Sequence, residues 1–242
     1  MEFQTAPLPI ADAVEAGNGA GLEFRELLAV HALSKSWGDR VILNDLELVL
    51  DAGSLTWIGG ENGIGKTTLL RICAGLIMGD RGVIDLDGLH PLRDRARYQA
   101  RVGFLSANDR GLYARLTVRQ HLDLWGRISL LHRRQLRAAI DRTIDRLGLG
   151  ELVERRVDRL SMGQRQRVRL AMAFLHDPDV VLLDEPLNSL DDRGAELLRG
   201  CLAELTGRGG AAIWCSPSIN DDAPFDVRLL LEHGELEPVI GP

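Results

Sequence analysis

The stretch GGENGIGKTTLL at residues 59–70 puts Gly60, Gly65, Lys66 and Thr67 in the spacing G-x-x-x-x-G-K-[ST]. No other part of the chain restricts the fold as tightly. The spacing requires a strand before it and a helix after it, because its glycines let backbone N–H groups converge on an anion at the helix N-terminus, where the helix dipole adds positive potential. The apolar run LTWI precedes the loop, and Thr67 to Met78 reads as the helix that follows, ending near Gly79. Gly60, Glu61, Asn62, Gly63, Ile64, Gly65, Lys66, Thr67 and Thr68 are therefore candidates to hold a phosphate. Lys66 supplies charge toward the β- and γ-phosphates of a nucleotide and Thr67 a hydroxyl for Mg²⁺. A strand–loop–helix unit of this kind belongs to an α/β fold with a mostly parallel sheet.

The 242 residues around that loop are 45% hydrophobic and 26% charged, enough for one large domain with its own core. Residues 1–26 carry Pro, Gly and acid without a basic start and apolar run, and read as a flexible leader to a domain over 27–242. No window reaches the roughly 18–20 uninterrupted apolar residues of a membrane-spanning helix. A net charge of −6 argues against nucleic acid as a partner, and the arginines dense between Arg93 and Arg169 read as a solvated helical face. Three cysteines without CxxC spacing and six histidines without ligand spacing point to a reduced, cytosolic chain lacking structural metal.

Residues 27–58 read as strands punctuated at Gly38-Asp39 and Ala52-Gly53, and GVIDLDG as a short hairpin turning at Asp87-Gly88. The middle is helical. Thr117 with Gln120, and Ser161 with Gln164, fit capping boxes. Val118, Leu122, Trp125 and Ile128 form one apolar stripe; Leu136, Ile140, Ile144 and Leu147 form another; Val168, Met172 and Leu175 share a face of a helix ended by Asp177-Pro178. VVLL at 180–183, and similarly AAIWCS and VRLLLE, read as strands covered on both faces of a parallel sheet. Asp184 and Glu185 follow at the carboxyl end of the first of these, where an open α/β sheet meets its ligand. There Asp184 can serve the Mg²⁺ shell and Glu185 can act as general base toward water.

The segment LSMGQRQRVRLAMAFLHDPDVVLLDEPLNSLD, residues 160–191, resembles the ATP-binding cassette (ABC) family, whose LSxGQ signature stands here as Leu160, Ser161, Met162, Gly163 and Gln164. The resemblance runs from about residue 27 to 240. It implies a P-loop ATPase core with an N-terminal antiparallel β-subdomain and a helical subdomain over about 113–176. It also implies ATP and Mg²⁺ as ligands, and head-to-tail packing with a second ABC subunit, a copy or a cousin. In that arrangement Ser161, Gly163 and Gln164 of one subunit close on nucleotide held by the other, a role a helix N-terminus suits; alternatively the segment only caps its helix. Trp37 stands where the family often stacks an aromatic ring on adenine, the alternative being a buried strand tryptophan. Leu190-Asp191 resembles the family's aspartate loop at the dimer contact, placing Asp191 near the nucleotide.

Two family elements are missing. Ser106, Ala107, Asn108 and Asp109 occupy the place of a metal-binding glutamine, leaving Asn108 or Asp109 to offer an oxygen. Ser216 and Pro217 stand where the family has a histidine contacting the γ-phosphate, making Ser216 the candidate in that catalytic position. A hydroxyl cannot switch as an imidazole does, and losing a positioned catalytic group commonly costs about 10²–10⁴ in rate. The expectation is firm ATP binding with slow hydrolysis. RGLYARLTVRQHL resembles the matching segment of ABC-2-type exporters, haem- and sodium-exporter-like relatives included. The resemblance thus implies a cytoplasmic ATPase subunit, peripheral on the inner face of the membrane and partnered by membrane-spanning transporter subunits. The alternative is a regulator or scaffold that binds ATP with little turnover.

Overall fold

The computed structural model describes residues 25–107, 111–217 and 224–239. A small antiparallel sheet comes first in the chain. It is formed by β1 (Glu26–Trp37), β2 (Arg40–Asp51) and β4 (Arg81–Leu86), in the order β2-β1-β4. Gly38-Asp39 turns β1 into β2, so that Trp37 faces Arg40 across the hairpin. β1 begins at Glu26, one residue inside the segment read as a leader.

The second sheet has the order β5-β6-β7-β3-β8-β9. β5 (Val102–Leu105), β6 (Val180–Asp184), β7 (Ala211–Cys215), β3 (Leu55–Gly59) and β8 (Val227–Glu232) are parallel, and β9 (Glu235–Pro238) closes the edge antiparallel to β8. β3, β6 and β7 are buried along their whole length. Side chains alternate across a strand, so these strands serve two cores. Leu55, Trp57, Val181, Leu183, Ala212 and Trp214 face a cluster built with helices, whereas Ile58, Val180, Leu182, Ala211, Ile213 and Cys215 face α1 (Lys66–Cys73) and the small sheet. This two-sided burial is why β6 and β7 read as uninterrupted apolar runs.

The helix-rich cluster is supplied by α3 (Val118–Ile128), α4 (Arg133–Arg146), α5 (Met162–Phe174) and α6 (Asp192–Gly207); a short α2 (Arg95–Gln99) precedes β5. Both capping boxes form. Gln120 N donates to Thr117 Oγ1 and Gln164 N to Ser161 Oγ, each at 3.2 Å, and each glutamine side chain accepts the cap residue's N–H at 3.0 Å. The apolar positions expected of α4 and α5 are buried, but Ile128, at the end of the α3 stripe, is 58% exposed.

Several sequence expectations need correction. GVIDLDG is not a hairpin: β4 pairs with β1, and across the Asp87-Gly88 turn only Leu86 and Leu89 bridge. α1 stops at Cys73, well short of Met78, because Gly75 takes φ 66° and Leu76 N returns to Arg71 O at 2.9 Å, the helix-ending arrangement glycine favours. α5 likewise ends at Phe174, before Asp177-Pro178. β8 is not covered on both faces: it lies one strand in from the sheet edge, and of its residues only Leu231 is buried. Arg169 is not on a solvated face: it is 7% exposed.

Candidate functional site

The parallel topology brings the carboxyl ends of β3, β6 and β7 side by side, and the loops leaving them carry the candidate residues. β3 delivers Gly59–Gly60 into the glycine loop, and α1 starts at Lys66. Gly60 and Gly65 have φ of 132° and 135°, in a region other residues avoid. A Cβ at Gly60 would lie 2.7 Å from Leu231 O, and one at Gly65 2.9 Å from Ile42 Cγ2. The loop is therefore drawn tight by β8 and β2 from outside, and Ile64 N–H closes it further onto Glu61 O at 3.3 Å.

Lys66 is 5% exposed, and its ammonium donates to Gly60 O at 2.5 Å and Glu61 O at 2.9 Å. Among the described residues no carboxylate is within ion-pair distance of it. A cation removed from water and held only by neutral carbonyls is incompletely compensated; a phosphate oxygen is the natural complement.

Thr67 Oγ1 donates to Asp184 Oδ2 at 2.8 Å, and Ala107 N approaches the same oxygen at 3.3 Å. Asp184 ends β6 and is 1% exposed. A hydroxyl and a carboxylate side by side are hard oxygen donors of the sort Mg²⁺ takes one or two at a time, completing its octahedron with water and substrate phosphate. Among the described residues no group of three or more His, Cys, Asp or Glu is arranged to hold a metal. Asn108, the other candidate oxygen donor, lies outside the described residues, as does Asp109.

Glu185 adopts φ 49°, an uncommon conformation for a non-glycine residue. Its N–H bonds to Cys215 O at 2.9 Å, and its Oε2 accepts from Asn188 Nδ2 at 2.6 Å. Asn188 was not among the sequence candidates; only its place three residues after Glu185, in a turn, hinted at it. Asp191 caps α6, its Oδ1 accepting from Gly194 N at 2.8 Å. Ser161 and Met162 are exposed, Met162 at 65%, while Leu160 is buried beneath them. Gly163 packs on the turn before Asp191, where a Cβ would come within 2.7 Å of Ser189 O. The helix tip and the Asp191 turn thus form one surface.

Ser216 follows β7, and its Oγ accepts from Trp57 Nε1 at 2.8 Å. Trp57 itself is 4% exposed, with its six-membered ring folded over Gly59: a Cβ there would fall 2.1 Å from Cη2. The sequence shows this tryptophan only as part of an apolar strand, so its link to Ser216 was not legible. Trp37 is 54% exposed, with Lys35 Nζ 4.5 Å from the ring centroid; it is not a buried strand tryptophan and offers a face for stacking. Lys35 also hydrogen-bonds Asp80, which holds that carboxyl below the usual range.

Cys73, Cys201 and Cys215 are free and buried. Desolvation raises their thiols, Cys73 to about 12, Cys201 to about 11 and Cys215 well above the ordinary value. None is a nucleophile near neutral pH.

The sequence profile described as "ABC transporter" matches residues 43–188 of this chain. The chain belongs to the ABC transporter family. This ABC protein is 34% identical over 195 residues to the ABC transporter ATP-binding protein NatA of Bacillus subtilis (strain 168), spanning 80% of this chain and 79% of NatA. It is 35% identical over 205 residues to the cytochrome c biogenesis ATP-binding export protein CcmA of Xanthomonas oryzae pv. oryzae, spanning 84% of this chain and 92% of CcmA. A solved ATP-binding subunit of an ABC transporter superposes with TM-score 0.79 at 25% identity, covering 87% of this chain and 88% of that one. The chain therefore has the ABC ATPase fold and is an ATP-binding domain of this family of ATPases. Among the described residues no helix is long and apolar enough to cross a membrane.

Proposed function

We propose that this chain is the ATP-hydrolysing subunit of a membrane exporter, working as a head-to-tail pair with a second copy or a cousin. The observation that carries this reading is the buried Lys66 ammonium, held only by loop carbonyls beside the Thr67–Asp184 pair. On nucleotide binding Lys66 exchanges those carbonyls for β- and γ-phosphate oxygens, and Trp37 stacks on the adenine. Thr67 and Asp184 would hold Mg²⁺, which when bound neutralises developing charge on the phosphates. Glu185, oriented by Asn188, takes a proton from water as its oxygen bonds to the γ-phosphorus; the bond to the bridging oxygen breaks and the electrons leave with ADP. The second subunit's Ser161, Gly163 and Gln164 meet the γ-phosphate opposite Lys66, and its Asp191 turn completes the contact. The exposed position of Ser161 and Met162 supports this.

The partner expected at the membrane is a set of spanning subunits, with this chain peripheral on the cytoplasmic face. A cleft of about 390 Å³ supports such a contact. Leu76, Ile128 and Leu130 line it and are 53%, 58% and 72% exposed, an apolar concentration of the kind that marks an interaction site. Export is the favoured direction because CcmA is by name an export protein. Hydrolysis is slow, since Ser216 replaces an imidazole and no glutamine stands at Ser106-Ala107.

Those two replacements favour the second reading, a regulator that binds ATP without useful turnover. Purified protein, alone and with its membrane subunits, separates the two. Stoichiometric Mg-ATP binding with steady phosphate release in either setting supports the motor. Binding without release in both settings rejects it.

A further inference from the structure

We infer that Arg169 is a positioning residue, coupling the end of β5 to the turn that carries Glu185, with the Gln166 amide as intermediary. Both side chains are buried, at 7% and 4% exposure, on successive turns of α5. The Arg169 guanidinium donates from Nη2 to Ser106 O, the residue after β5, and from Nη1 to Gln166 Oε1 at 2.7 Å. Gln166 Nε2 in turn donates to Pro186 O at 3.1 Å, directly after Glu185. Arg169 also lines the apolar cleft, beside Phe104 and Met172.

The direction of this relay follows from donor chemistry. A guanidinium only donates, so it fixes which end of the Gln166 amide faces it. With Oε1 turned to Arg169, Nε2 must face Pro186 O. Pro186 O, itself only an acceptor, calls for the same orientation, so the two neighbours agree, and without Arg169 the amide is held from one side only. The rigid fork of arginine also spans two acceptors at once, which a lysine cannot do. The Ser106–Ala107 segment and the Glu185 turn are thus held at one spacing by a buried pair, and Ala107 N meanwhile approaches Asp184 Oδ2.

The hydrolytic part of this inference rests on Glu185 as base; the mechanical part does not, and the experiment reads them separately. Full-length wild type, Arg169→Met, Arg169→Lys, Gln166→Leu and the Arg169→Met/Gln166→Leu pair are compared by amide hydrogen exchange and by steady-state hydrolysis. The Asn188 and Leu190 amides, which bond within the turn to Glu185 O and Leu187 O, exchange about fivefold faster in Arg169→Met, the factor expected for one net hydrogen bond. A role confined to the β5 end would leave these two amides unchanged. kcat falls roughly tenfold with KM for ATP within about twofold, because an aligning contact rather than ground-state binding is lost. Gln166→Leu gives a similar loss, and the pair is no worse than either alone, as for one chain of contacts. Arg169→Lys, which keeps the charge, shifts exchange in the same direction by less and serves if Arg169→Met does not fold. Unchanged exchange over 187–190 in the folded variants overturns the inference, as does multiplication of the two single effects. If wild type releases no phosphate, the hydrolytic reading falls while the exchange pattern still decides the relay.

Discussion

Ser216→Ala removes the acceptor of the Trp57 indole N–H, a bond of 2.8 Å between a 4%-exposed ring and the residue after β7. An unsatisfied buried donor costs about 1–3 kcal/mol. Ser216 is half-exposed, so water can partly replace it, and the lower part of that range applies, about 1–2 kcal/mol. For a chain of this length each kcal/mol moves Tm by about 2–4 °C, giving an expected fall of roughly 2–8 °C. The decisive comparison is a double-mutant cycle with Trp57→Phe, which removes the donor instead. Trp57→Phe should cost about 1 kcal/mol less in the Ser216→Ala background than in wild type, since the orphaned N–H has gone. Thermal and denaturant unfolding, each without nucleotide, measure both quantities. A coupling energy below about 0.3 kcal/mol, within ordinary additivity, would refute the bond as a stabilising link between the phosphate loop's strand and the end of β7.

Glu185→Gln should leave Mg-ATP binding intact, trap a nucleotide-bound dimer in size-exclusion chromatography and lower phosphate release by about 10²-fold or more; unchanged release removes Glu185 from the role of base. Ser216→His should raise kcat by about tenfold or more if the missing imidazole limits the rate, and a flat result would locate the limit elsewhere. Gly163→Ala, although alanine is the better helix former by about 1 kcal/mol, should weaken the trapped dimer, because its Cβ displaces the turn at Ser189 O; the dimer fraction of the Glu185→Gln background measures this. Burial pushes His121 and His176 below the ordinary histidine range, and His121 Nε2 accepts from Tyr113 N at 2.7 Å. The unfolded chain then binds more protons as pH drops below about 6.5, so stability falls from there down through the lowered values, and His121→Gln/His176→Gln should flatten that slope in denaturant titrations.

The parts of this molecule that a sequence displays are those fixed by local chemistry. Glycine spacing, the two capping boxes and the doubly buried β6 and β7 each depend on residues within one or two turns of one another, and all form as read. Pairings chosen by distant parts of the chain leave no such local mark. β4 resembles half of a hairpin until β1, some fifty residues earlier, proves to be its partner. The site divides the same way. Lys66 and Thr67 announce themselves by spacing, yet that Thr67 donates to Asp184 across 117 positions is visible only in the fold. Arg169 looks like its neighbours in sequence, because an arginine among arginines on a helix is ordinarily solvated; only the packing of α5 against β5 turns this one inward. Trp57 and Asn188 carry no motif, and their importance lies in the neighbours that the parallel sheet and the Glu185 turn give them.

The deep placement of Cys73, Cys201 and Cys215, with thiols raised far above neutral pH, gives this chain a surface silent to maleimides under native conditions. A single cysteine introduced at an exposed position outside the proposed nucleotide contact, such as Ala203 on α6, would be the one reactive handle on the native protein, with no need to strip three core residues first. Probes or cross-linkers attached there can follow two subunits meeting and parting in the otherwise natural sequence.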